Sequence, residues 1–304
     1  MAKTVLITGA SGLLGRHLCS LLLSDGYEVR ALSRGSSVPV PGVESFRWDI
    51  EKGYFDPQSL ENVEAVIHLA GENLAARPWT KGQKQKIIRS RTDSIRLLYK
   101  HIHNHPGAAL KTIVSASAVG YYGDRGGEVL YEHSRPGNDF MSQTCIAWEN
   151  AVNEGASLGL RVVRLRTGVV LSKEGGALPK LAAPIKLGLG AALGPGDQWI
   201  PWIHLDDAVK MYKFVLENER ANTVYNHCAP APVTNNQLTR GVAGVLHRPL
   251  WLPAIPAFAL RILLGEMRAV LLSSTKTSAD KIMDLGFQFQ FNDLQDALTD
   301  IYGQ

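Results

Sequence analysis

The chain reads as an α/β protein: a Rossmann-type, doubly wound parallel sheet followed by a smaller, mainly helical C-terminal lobe. Two observations predict this. Short β-branched runs, TVLIT, EVRAL, AVIHLA, KTIVSAS and RVVRLR, alternate with longer helical patterns, as in repeated βαβ units. Beyond about residue 172 the strands thin out, Gly and Pro become frequent (SKEGGALPK, GLGAALGPGDQ), and helical patterns such as NNQLTRGVAGVLH and FNDLQDALTDIYG dominate. We therefore expect a Rossmann domain over 1–172, with parts of 200–228 returning to it, and a smaller lobe over 173–304.

The first strand, TVLIT, runs into GASGLLGRHLCSLLL. Gly9, Gly12 and Gly15 sit between it and a helix whose Leu14, Leu18, Leu21 and Leu22 share one face. Glycine suits a tight turn, close approach of backbone to a pyrophosphate, and tight packing of helix on strand. The helix start, with Ser11, Leu13 and Leu14, offers free N–H groups and a partial positive charge to phosphates. The second strand ends in YEVRALSRG. Where an acidic residue would hold the ribose hydroxyl of NAD, Ser33 and Arg34 stand instead, and a guanidinium with a hydroxyl suits the 2'-phosphate of NADP(H). The alternative is that Arg34 is a solvated arginine. Asp49, ending the third strand in FRWDI, can accept from an adenine amino group or cap a helix.

Composition excludes several classes. A 304-residue chain with 45% hydrophobic and 20% charged residues can bury a large core, and a net charge of +4 does not argue for a nucleic-acid partner. The stretch PLWLPAIPAFALRILLGEMRAVLL is interrupted by charges and prolines, so no membrane span, and no membrane partner, is expected. MAKTVLITGA has no export-signal pattern. Cys19, Cys145 and Cys228 lack metal or redox spacing, which points to reduced thiols in the cytoplasm and to no metal site.

TGASGLLG, the AVIHLAG strand end and IPWIHLDDAV resemble the extended short-chain dehydrogenase/reductase superfamily. HLAGEN with RPWT, KQKIIRSRTDSIRLL, SASAVGYYG, LRTGVVLSKEGGALPK, LLGEM and LGFQF narrow the resemblance to its atypical "epimerase family" members, which carry their own C-terminal domain. Such proteins bear labels such as nucleoside-diphosphate-sugar epimerase or cell-division inhibitor, resting largely on fold-level analogy. The resemblance implies further cofactor contacts at Leu69, Ala70, Gly71, Ser115, Thr167, Gly168 and Val169.

Typical superfamily members place a Tyr and, four residues on, a Lys on one helical face to handle the proton. Aligned on Glu149, DFMSQTCIAWENA puts Met141 and Cys145 at those positions. Methionine has no proton to give, and a thiol in an apolar helix is normally neutral. Other groups must take over. Ser117 fits the superfamily's substrate-bonding hydroxyl, and Tyr121 or Tyr122 in VGYYG can reach toward the nicotinamide or serve as packing. In GENLAARPW, Glu72 can act as acid or base, with Arg77 and Trp79 on the substrate; an ion pair organising the loop is the alternative. Arg91 is a third substrate candidate, beside Ser90 at the position of the superfamily's proton-routing Asn. His68 reads as a core histidine, Asp206 as a helix N-cap and His204 as its structural neighbour. Two functions follow: an NADP(H)-dependent oxidoreductase or epimerase with unusual acid-base residues, acting on a small, possibly anionic molecule as monomer or homodimer; or an NADP(H)-binding regulator or scaffold without turnover.

Overall fold

The computed structural model describes residues 3–35, 38–104 and 109–303. In chain order, β1 (Thr4–Thr8), α1 (Leu13–Ser24), β2 (Glu28–Ser33), β3 (Glu44–Asp49), β4 (Tyr54–Phe55) and β5 (Val63–His68) form the first half of the sheet. Then α2 (Lys81–His103), β6 (Thr112–Ala118), β7 (Val129–Leu130), α3 (Phe140–Asn153) and β8 (Arg161–Thr167) build the second. The remainder comprises β9 (Val169–Leu171), α4 (Leu178–Lys186), β10 (Trp199–Ile200), β11 (Trp202–His204), α5 (Leu205–Glu217), β12 (Val224–His227), β13 (Val233–Thr234), α6 (Asn235–Val245), α7 (Ala257–Leu264), α8 (Arg268–Leu272), β14 (Lys276–Thr277), α9 (Asp280–Asp284) and α10 (Leu294–Tyr302).

The main sheet has eight strands in the order β12-β8-β6-β5-β1-β2-β3-β4. Every pairing is parallel except β3 with β4, an antiparallel edge that the sequence reading did not anticipate. The chain starts in the middle, winds outward through β2 and β3, then crosses to β5 and winds the other way. A crevice opens beyond the carboxyl ends of β1 and β5, where the direction reverses.

Because successive side chains on a strand face opposite ways, each buried strand feeds two layers. Val5 and Ile7 pack with Leu18 and Leu22 of α1 and Val209 and Met211 of α5. Leu6 points the other way, into the layer of Ile95 and Leu98 of α2 and Trp148 and Val152 of α3. A third cluster gathers Leu178 and Ile185 of α4, Leu238 and Val242 of α6, and Leu294 and Leu298 of α10. The start of α5 departs from expectation. The helix begins one residue after His204, whose Nδ1 accepts the Asp206 N–H at 3.1 Å, so the imidazole is the cap and Asp206 sits in the first turn.

Two histidines at strand ends are fully buried and neutral. Thr8 Oγ1 accepts the N–H groups of Leu69 and Ala70, leaving its proton for His68 Nδ1; His68 Nε2–H then reaches Ser94, which donates to the Arg91 carbonyl. Burial pulls His68 down to about 3 and His227 to about 4. In the unfolded chain both protonate near pH 6.5, so between that value and about 4 the unfolded state holds more protons and folding loses stability as pH falls. Urea midpoints should therefore decline between pH 6.5 and 4, and His68→Gln should make the decline shallower. An unchanged slope in that variant would remove His68 from the account.

Candidate functional site

The crevice is a cleft of about 400 Å³ whose lining includes Gly9, Ser11, Gly12, Ser33, Arg34 and Glu72. Its floor is the glycine turn. Gly9 has φ +71°, and a Cβ there would lie 2.8 Å from the Leu69 carbonyl; a Cβ on Gly15 would lie 2.4 Å from the Gly9 oxygen. Gly12 caps α1 with its backbone alone, and no side chain bonds to the first turn. The N–H groups of Leu13 and Leu14 thus begin a helix whose positive end carries no acidic residue. A cleft with such a base fits a dinucleotide's phosphates.

Ser33 and Arg34 wall the next part of the cleft. Ser33 Oγ accepts the Gly35 N–H at 3.1 Å, which keeps its proton available, and Arg34 is exposed with no hydrogen bond or ion pair to any described residue. At the end of β3 the lining residues are Trp48 and Ile50; Asp49 lies between them and takes the Lys52 N–H at 3.1 Å, so it caps a turn. Leu69, Ala70 and Gly71 form the opposite wall. The first two have their N–H groups on Thr8 and present surface, not donors.

Glu72 lines the cleft, and its carboxylate has no hydrogen-bond or ion-pair partner among the described residues. Its backbone is fixed from both sides: its N–H goes to Ser90 Oγ at 2.9 Å and its carbonyl accepts Arg91 Nη2 at 3.2 Å. Arg91 is buried, donates also to the Ile87 carbonyl, and lies 5.0 Å over the Trp148 ring. Burial lowers its pKa, and its guanidinium braces the Gly71–Glu72 backbone instead of lining the cleft. Trp79 is buried too. Its indole N–H reaches the Leu74 carbonyl and its ring meets Phe140 edge-on at 5.0 Å, so it pins the 72–80 loop onto α3. Arg77 on that loop is exposed and unpaired among the described residues.

Helix α3 carries the Met141 and Cys145 positions. Asp139 caps it through the Ser142 N–H, and Met141, Cys145 and Glu149 follow at four-residue intervals on one face. Met141 and Cys145 pack against Gly120, where an added Cβ would lie 3.4 Å from Met141 and 3.8 Å from the thiol. Glu149 is buried and holds Arg166 through two bonds, 2.7 Å from Nε and 2.9 Å from Nη2. Burial pulls the Arg166 guanidinium down, and the carboxylate more than restores it, holding it above its ordinary range.

Ser117 donates to the same carboxylate at 2.7 Å. Arg166 also reaches Tyr122 OH at 3.0 Å, which donates to Asn226 Oδ1 at 2.6 Å, and the guanidinium lies 3.4 Å from the centre of the Tyr121 ring. Of the three catalytic candidates, Glu72 faces the cleft directly. Ser117 and Tyr121 stand behind it, one bonded to Glu149 and the other stacked on Arg166.

Ser115 sits in the middle of β6, Thr167 ends β8, and Gly168 leads into Val169 at the start of β9; none of the four is among the residues lining the cleft. Ser115 Oγ donates to the Ala116 carbonyl and Thr167 bonds His227 Nδ1 at 2.9 Å. Gly168 N–H goes to the His227 carbonyl and Val169 N–H to Pro201. Sequence reasoning missed Glu149 and Arg166 as the centre of this region. The signal was present: Glu149 within IAWENAV and Arg166 within the strand RVVRLRT are charged groups that demand partners when buried.

The comparisons agree with the geometry. The chain belongs to the NAD dependent epimerase/dehydratase family, whose model matches residues 5–228; a domain of unknown function, DUF1731, matches 255–301. It is 35% identical to the epimerase family protein YfhF of Bacillus subtilis over 98% of this chain and 97% of that one. It is 36% identical to the chloroplastic SDR39U1 homolog of Arabidopsis thaliana over 98% and 86%. Among solved structures, the human epimerase family protein SDR39U1 (isoform 2), crystallised with NADPH, superposes with a TM-score of 0.88 at 30% identity, over 99% of both chains.

Cys145 is 1% exposed and burial pushes its thiol up to about 12; Cys19 and Cys228 are buried as well. An alkylating reagent at neutral pH should therefore modify all three slowly in the folded protein and quickly in urea. Fast labelling of native Cys145, located by peptide mass, would restore it as a nucleophile.

Proposed function

We propose that this chain binds NADP(H) and acts as an oxidoreductase or epimerase on a small polar, anionic molecule, without the Tyr–Lys pair usual in its superfamily. The carrying observation is the cleft at the reversal of strand order, where Arg34 has no hydrogen bond or ion pair among the described residues and Ser33 accepts the Gly35 N–H with its own proton to spare. The NADPH in the human relative supports the same reading. Ser33 and Arg34 suit a 2'-phosphate and leave no carboxylate to repel it. Asp49 accepts the Lys52 N–H on one carboxylate oxygen, and its other oxygen is our candidate acceptor for the adenine amino group.

When bound, NADP(H) supplies a hydride donor or acceptor. The proton must come from the chain. Glu72 is our candidate to give or take it: it lines the cleft, its carboxylate has no hydrogen-bond or ion-pair partner among the described residues, and its backbone is hydrogen-bonded to Ser90 and Arg91. Tyr121, oriented by Arg166, is second in line. Ser117 could serve only by giving up its bond to Glu149. Arg77, exposed on the same loop, is the group for an anionic substrate. We assign residues 1–172 with the returning 200–228 segment to the cofactor domain and 173–304 to the substrate lobe. Among the described residues no helix is long and apolar enough to cross a membrane, and we place the protein in the cytoplasm as a monomer or homodimer.

A second reading, an NADP(H)-dependent regulator without turnover, is favoured by Met141, Cys145 and the engagement of Ser117. Calorimetric titration should give NADPH at least roughly tenfold over NADH, with Arg34→Ala removing most of the difference, since one charge-assisted bond contributes about 1.5 to 3 kcal/mol. Equal affinities in the wild type would overturn the cofactor assignment.

Turnover should be sought by NADPH consumption across small carboxylated ketones and by product analysis across nucleotide sugars. On any accepted compound, Glu72→Gln should slow kcat by roughly 100-fold with NADPH affinity nearly unchanged, and Tyr121→Phe should cost less. Tight NADPH binding with no conversion in the whole panel would favour the regulator.

A further inference from the structure

Exposed large apolar side chains cluster in two stretches of the C-terminal lobe. Trp251, Phe258 and Ile262 are 78%, 69% and 80% exposed, and Leu187 and Leu189 stand out just beyond α4. The stretches are tied together: Gly194 N–H and the Ile255 carbonyl, and Ile255 N–H and the Ala192 carbonyl, bond at 2.8 Å, and Gly190 packs against Ile185 and Leu250. An apolar face this exposed marks an interaction surface.

The charges on the same stretches have one sign. From Leu178 to Leu193 the only charged residues are Lys180 and Lys186. From Arg240 to Leu272 they are Arg240, Arg248, Arg261 and Arg268 against a single acid, Glu266, which is ion-paired with Lys84.

We propose that this face docks on an anionic phospholipid surface. Apolar side chains would enter the headgroup boundary while the arginines and lysines meet lipid phosphates, as interfacial segments do. A two-fold contact with a second copy would set the patch against itself and bring like charges together, which disfavours that occupant. α7 has eight residues, too short to span a bilayer, so it would lie along the surface. The absence of a spanning segment had suggested no membrane partner at all; it excludes crossing, not lying on, a bilayer.

The test is co-sedimentation of the whole protein with vesicles of phosphatidylcholine, and of phosphatidylcholine mixed with phosphatidylglycerol. Binding is expected only to the anionic vesicles and should weaken as salt is raised. Phe258→Asp with Ile262→Asp should reduce it by roughly tenfold or more, because two large apolar groups no longer enter the boundary. Arg248→Gln with Arg261→Gln should reduce it while leaving the apolar face intact. All four positions are exposed and outside the cofactor cleft, so an unchanged NADPH titration checks that the variants are folded. No binding to anionic vesicles at low salt would overturn the proposal. So would equal, salt-independent binding to both vesicle types, or a solution dimer dissolved by Ile262→Asp with no vesicle binding.

Discussion

The region behind the cleft depends on one buried ion pair, Glu149 with Arg166. Its atoms join α3 to β8, and its neighbours extend the connection: Ser117 from β6, Tyr121 and Tyr122 from the turn that follows, and Asn226 from β12. Asn226 in turn donates to the carbonyls of Leu130 and Ser278, bringing the C-terminal part of the chain into the same network. A pair buried this deeply is weak evidence of net stabilisation, because desolvating both ions offsets most of their attraction. What it fixes is arrangement. Five segments must be placed correctly at once for every polar group to be satisfied, and removing either partner would strand the other at a cost of about 3 to 5 kcal/mol.

The same ion pair bears on how α3 packs. Three positions on one face, Met141, Cys145 and Glu149, meet the turn after β6. With the first two apolar, the helix packs closely on Gly120, and the polar anchoring falls to the third. On the 72–80 loop, Glu72 has its backbone hydrogen-bonded from both sides and, among the described residues, no hydrogen-bond or ion-pair partner for its carboxylate. The loop's rigidity comes from groups the sequence suggested as substrate binders. Trp79 and Arg91 position the site without reaching into it.

The division between what was legible in the sequence and what was not follows the range of the interactions. The glycine turn could be read directly, since Gly9 and Gly15 are required by backbone atoms of the turn and the adjacent strand end. The central strands β8, β6, β5, β1 and β2 could be read because two-sided burial writes apolar runs into them, whereas the edge strands β4 and β12 could not. The partners of Ser117, Tyr122 and Asp49 could not. Ser117 meets Glu149 thirty-two residues away and Tyr122 meets Asn226 one hundred and four away. Asp49 takes the N–H of Lys52 in its own loop, a local bond that the spacing of the strand end does not announce. The cap of α5 shows the same limit at short range: His204 and Asp206 are both competent caps, and strand β11 carries the chain to His204 before the helix begins.

Lys84 connects the cleft to the apolar face. Its ammonium lies 5.0 Å over the Phe140 ring, which supports Trp79 and hence the Glu72 loop, and it also pairs with Glu266 between α7 and α8. Side chains that share a partner do not respond independently. Lys84 is thus shared between the ring contact that supports Trp79 and the ion pair that holds Glu266 beside α7.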